Sequence, residues 1–256
     1  MPSSIKRAEE YGDDLTVLFV EVSSKRSMDY VEAFAYRKHW MGTPAMWTKE
    51  RPFPSGRKSI PAFVLLSAEG EVLLRGNPMR MKRELDEAIA NEIEGATDAP
   101  DELPRSLKKA WKESGKGKYV AALKEAQKVR DKAGTDAPAA TALMERIEAR
   151  IQADLQDARW CLENGYLVTA EDQIDDLARV LAKSPAHSEA LEELRVAFEE
   201  QPKEEFNAAK ALAKIQTKLY KDGLTDKLVR ELERVVKRHA GTRSAARATH
   251  LASLAD

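Results

Sequence analysis

The sequence predicts two structural classes in one chain, an α/β region followed by an all-α region. Three observations carry this. Over residues 1–94, apolar runs of strand length alternate with amphipathic helical stretches. Residues 95–104 then shift to acids and prolines, the composition of a linker. From Arg105 to Asp256 no stretch reads convincingly as a strand, and glycine or proline interrupts one amphipathic helix after another.

Taken in order, Ile5–Tyr11 reads as the last turns of a helix stopped by Gly12. Asp13-Asp14 leads into Leu15–Val22, an apolar run expected to be a buried strand. Ser27 is placed to N-cap a helix from Met28 to about His39, with Tyr30, Val31, Phe34 and Ala35 as its apolar stripe. Gly42–Ser59 carries three prolines and reads as an ordered, non-helical loop. Ala62–Leu66, the turn Ala68-Glu69-Gly70 and Glu71–Arg75 make a β-hairpin. A helix follows from Met81 to Ile93 and ends at Gly95.

The second region divides at Gly115/Gly117, Gly134, Gly165, Ser184-Pro185, Gln201-Pro202, Asp222-Gly223 and Gly241. Small residues such as Ala122 and Ala126, or Ala170, recur on the apolar faces, where they let paired helices approach closely. This is the logic of antiparallel helical hairpins in which one pair buries its face on the next, and it resembles TPR arrays. The spacing is irregular and no strict 34-residue period is present. The region is TPR-like, and protein or peptide partners are the expected ligands.

The run Ser59-Ile60-Pro61-Ala62-Phe63-Val64-Leu65-Leu66-Ser67-Ala68-Glu69-Gly70-Glu71-Val72 resembles the proline-loop hairpin of thioredoxin-like thiol–disulfide oxidoreductases. The resemblance covers about residues 1–94. It implies that Pro61 is a cis proline and that Ile60, Pro61 and Trp47 lie on the substrate-facing loops. It also implies that a CxxC motif opens the first long helix, with Met1-Pro2 and Ile5–Gly12 as the remainder of that helix. No CxxC is present. The expectation is therefore an incomplete, N-terminally truncated thioredoxin-like domain at 1–94, lacking its first strand and catalytic motif. A linker at 95–104 and a helical domain at 105–256 complete the chain. The alternative is a complete, redox-inactive chain acting as an interaction scaffold, in which the strands at Leu15–Val22 and Ala62–Leu66 pair directly or a substitute fills the gap.

Composition narrows the function classes. With 42 basic and 43 acidic residues the net charge is −1, which exerts no general pull toward nucleic acid. No apolar run is long enough to span a membrane. The chain alone suggests a cytoplasmic address, and an upstream export signal would make it periplasmic or secreted. The single cysteine, Cys161, excludes an internal disulfide, a CxxC pair and any multi-cysteine zinc site. Cys161 sits within a predicted helix and reads as a small buried hydrophobe. His39, His187, His239 and His250 form no metal-binding spacing and suit surface or helix-end positions. Gly115-Lys116-Gly117-Lys118 lacks the spacing of a phosphate loop and reads as a turn. No cofactor, catalytic residue or metal site is expected in this chain.

Three aromatics near the proline-rich loop remain. Trp40 reads as an anchor on the preceding helix, Trp47 as the better contact candidate, and Phe53 flanks them. The cations from Lys227 to Arg247 read as a solvated helix face.

Overall fold

The computed structural model describes residues 2–21, 26–42, 45–48, 50, 54, 60–67, 70–97 and 103–255. These are mostly helical. Among them are eleven α-helices and four short strands: α1 (Pro2–Tyr11), β1 (Val17–Val20), α2 (Met28–Arg37), β2 (Ala45–Thr48), β3 (Phe63–Leu66), β4 (Val72–Gly76) and α3 (Lys82–Thr97). The purely helical remainder comprises α4 (Lys108–Gly115), α5 (Tyr119–Asp131), α6 (Ala137–Glu163), α7 (Leu167–Leu181), α8 (Ser188–Glu199), α9 (Lys203–Asp222), α10 (Asp226–Arg238) and α11 (Arg243–Ser253). Every break read from glycine or proline after Arg105 falls at a junction between these helices. No described helix is long and apolar enough to cross a membrane.

Contacts group the chain into two compact units. One comprises residues 1–50 and 152–256, the other residues 51–151, with the division falling inside α6.

In the first unit, β1 and β2 form a two-stranded parallel sheet in the register Val17↔Ala45 to Val20↔Thr48. Two expectations change here. Part of the stretch Gly42–Ser59 is strand rather than loop, although most of the remainder lies outside the described residues. In addition, β1 is not a buried core strand: Leu18 is 41% exposed, and no residue of Val17–Val20 is fully buried. Its described neighbour is β2. A two-stranded sheet gives its apolar side chains few neighbours to pack against.

Ser27 caps α2 as expected, its Oγ accepting from the Tyr30 backbone N–H at 3.2 Å. The buried set is Val31, Ala33, Ala35 and Tyr36, while Tyr30 is 43% exposed. The stripe read from the sequence is therefore corrected: α2 is covered on two sides, not one. The second side, Ala33 and Tyr36, enters a core with Leu212, Ile215 and Leu219 of α9, Leu228, Leu232 and Val235 of α10, and Ala248, Leu251 and Leu254 at the C-terminus. Residues after α2 also approach closely. Gly42 has φ +76°, and a Cβ built there would stand 2.3 Å from Cγ of Tyr220, so only glycine fits. Within the helical part, α9, α10 and α11 pack on one another, and α7 packs on α8 and α9. Thr225 and Thr242 cap α10 and α11 through their hydroxyls.

In the second unit, β3 and β4 form the expected antiparallel hairpin, Phe63↔Gly76 through Leu66↔Val72, with a register irregularity at Leu65/Leu66. Ser67 closes the turn by donating its N–H to Glu71 O at 2.8 Å and accepting from Glu71 N through its hydroxyl at 3.2 Å. Ala68 and Glu69 lie outside the described residues. Helix α3 continues through Gly95 to Thr97, into the stretch read as linker. Further along, α4 pairs with α5, and Ala110, Ala122 and Ala126 are fully buried. Lys116–Lys118 turns the chain between α4 and α5, with Gly117 at φ +68°.

Candidate functional site

The Ile60–Pro61 peptide is cis, the isomer the resemblance implies. Ile60 is 73% exposed and Pro61 is exposed too, immediately before β3. Trp47 lies on β2 opposite Phe19, and its side chain, like all of Phe53, lies outside the described residues. Trp40 is an anchor: its ring meets Phe34 of α2 edge-on at 5.5 Å, and its backbone N–H donates to Ala35 O at 2.9 Å.

Cys161 lies in α6 and is 9% exposed, in a cluster with Leu162, Leu167, Ala170 and Ala209. Burial raises its thiol pKa, and the neighbouring Asp157 carboxylate adds to the rise. A thiolate at this position is disfavoured twice over, so the sulfur is a packing atom. Iodoacetamide is expected to alkylate Cys161 roughly a hundredfold more slowly in the native chain than in denaturant, as read by mass spectrometry.

Three of the four histidines hold a named side-chain partner. His187 Nδ1 pairs with Ser184 Oγ at 2.7 Å just before α8, and His239 Nδ1 with Glu204 Oε1 at 2.5 Å at the end of α10. His250 Nε2 reaches Glu32 Oε2 at 2.8 Å, tying α11 to α2. No group of three or more potential metal ligands occurs among the described residues.

A polar site that the sequence did not reveal lies at the start of α11. Arg243 Nη1 donates to the carbonyls of Leu162 at 3.1 Å and Glu163 at 2.7 Å, capping the C-terminus of α6. Its Nη2 donates to Gln201 Oε1 at 2.5 Å, and its backbone N–H donates to Glu205. One turn later Arg247 donates to Gly165 O at 2.5 Å and lies over the Tyr166 ring, 4.0 Å from its centroid. Tyr166 stacks in turn on Trp160, which is 54% exposed. Arg243 and Arg247 therefore depart from the solvated face expected of the whole Lys227–Arg247 stretch. They are half-buried clamps on the α6–α7 corner. The partners named here lie about forty to eighty residues earlier, so no local pattern marks them.

Tyr36 and Tyr220 stack at 6.3 Å in the first unit's core. Burial above all, then Tyr220 and Glu32, holds the Tyr36 hydroxyl protonated well above the ordinary tyrosine range. Tyr220 shifts the same way through burial and the neighbouring Tyr166 and Glu32. Both folded-state values exceed the unfolded value. The stability they contribute is therefore complete below about pH 10 and is lost as pH rises beyond it. The thermal midpoint is expected to fall on alkaline titration above about pH 10, and Tyr36→Phe should flatten that fall.

Compared with protein-family models, characterised proteins and solved structures, the chain matches none.

Proposed function

We propose that the chain is a protein-binding module that joins a thioredoxin-related α/β segment, residues 1–94, to TPR-like helical hairpins, residues 105–256. Without a thiol pair it performs no dithiol exchange of its own. Exchange of that kind needs one thiolate to attack a disulfide and a second to resolve the mixed disulfide. The chain has only Cys161, and that is packed in a helix.

The element order supports the thioredoxin relationship, with β2 as an added short strand: helix, strand, helix, β2, Pro61, antiparallel hairpin, helix. The helical half supports a binding role through its closely packed, alanine-rich interfaces. The single observation that carries the reading is Ile60, an apolar side chain left 73% exposed beside Pro61 at the foot of the hairpin. An extended peptide laid along that loop finds an apolar contact and no reactive sulfur.

The test is a titration of the full chain with fluorescently labelled, reduced and carboxymethylated insulin B chain. Saturable binding is expected. Ile60→Glu should weaken it about tenfold, roughly 1.4 kcal/mol, without moving the thermal midpoint. Trp47→Ala should also weaken it without unfolding the chain. Absence of saturable binding up to ~1 mM would contradict the proposal.

A further inference from the structure

Helices α8 and α10 carry opposite charge on the faces turned away from the core. On α10, Lys227, Arg230, Arg234, Lys237 and Arg238 are exposed, whereas Leu228, Leu232 and Val235 are buried. At about 100° per residue the five cations share one arc, well away from the buried stripe. The helix's own acids stand at the margins of this arc: Glu231 is held by Lys218 at 2.9 Å, and Asp226 and Glu233 flank the other side. Among the described residues none of the five cations forms an ion pair within 4.0 Å.

The exposed face of α8 has the opposite sign. Glu189, Glu192, Glu193 and Glu200 share an open stretch of this face with Ala197 and with Val196, which is 44% exposed. Glu193 is shared with Arg159 at 3.2 Å, and Arg195 lies on the flank of this face. The acidic stripe from Glu189 to Glu200 and the basic stripe from Lys227 to Arg238 each rise about 16 Å along their helices. The two stripes match in length and oppose in sign.

We propose that the acidic face of α8 receives the cationic face of α10 from a second copy of the chain. Complementary potentials of this kind steer encounter and fix register. Nucleic acid suits the pair less well, because α10 carries no aromatic side chain for base stacking and the α8 face repels phosphate. The faces are unlike, so each contact leaves one face of each sign open. Association then extends head to tail, unless two copies close on each other reciprocally.

Sedimentation velocity on the full chain between ~5 and ~200 μM tests this at ~20 mM and ~500 mM salt. The wild-type chain is expected to associate at low salt and to dissociate at high salt. One variant carries Glu189→Lys, Glu192→Lys, Glu193→Lys and Glu200→Lys. The other carries Lys227→Glu, Arg230→Glu, Arg234→Glu and Lys237→Glu. Each should be monomeric alone, and an equimolar mixture should associate again. Where either variant melts below wild type, the milder pairs Glu192→Gln/Glu193→Gln and Arg234→Gln/Lys237→Gln replace them, each expected to weaken association about tenfold. A wild-type chain monomeric throughout at low salt would overturn the proposal. So would variants that associate like wild type, or a mixture that stays monomeric.

Discussion

Leu232→Ala is expected to lower the unfolding free energy by about 3 kcal/mol, among the largest single-site effects in the chain. Leu232 is fully buried on α10, in the core that also holds Leu212 and Leu219 of α9 and Tyr36 of α2. Truncation removes the transfer free energy of the lost methyl groups. It also leaves a cavity, because four helices fixed by their other contacts close over it only in part. Urea denaturation should show a lower midpoint with an unchanged slope. The exposed neighbour Lys237→Ala should stay within about 0.5 kcal/mol of wild type. Because α2 shares this core, the same Leu232→Ala chain should also exchange its α2 amides faster. Unchanged protection of residues 28–37 would show that α2 does not depend on the helical core.

Arg243→Ala comes second, at about 2 kcal/mol. The guanidinium joins four acceptors from three separate parts of the chain: the Leu162 and Glu163 carbonyls, Gln201 Oε1 and the Glu205 carboxylate. Its removal exposes the end of α6 and leaves Gln201 without its donor. Glu205 loses less, since the Arg243 backbone N–H still donates to it at 3.2 Å. The side chain is 37% exposed, which holds the cost below that of a fully buried ion pair. Arg243→Lys should recover only part of the loss, because one ammonium cannot reproduce a planar fork spread over four acceptors. Thermal or urea unfolding of the two variants would separate geometry from charge.

Local rules carried the reading of this sequence a long way, and long-range geometry marks where they ended. Gly165, Gly223, Pro202 and their like announced the helix junctions because they act within a few residues. Ser27 announced α2 for the same reason, and the alternation around Gly70 announced the hairpin. β2 escaped notice because a four-residue strand beside Pro44 has no local signature, and its parallel partner β1 lies more than twenty residues upstream. The second buried side of α2 escaped for a related reason. Ala33 and Tyr36 are covered by residues near position 220, and only the tertiary structure brings those to them.

The candidate site divides along the same line. Ile60 and Pro61 stood out by pattern, and Cys161 by its solitude. The exposure of Ile60 and the burial of Cys161 are tertiary facts. Arg243 and Arg247 looked like surface charge because carbonyl acceptors carry no sequence mark. Five other cations in the same stretch, those on α10, do face solvent.

The claim that this chain binds proteins without exchanging their disulfides is tested most directly by insulin reduction with dithiothreitol as electron donor. With the full chain added, insulin should precipitate no sooner than with dithiothreitol alone. Clear acceleration, abolished by Cys161→Ser, would contradict the claim and make the buried thiol a reacting group.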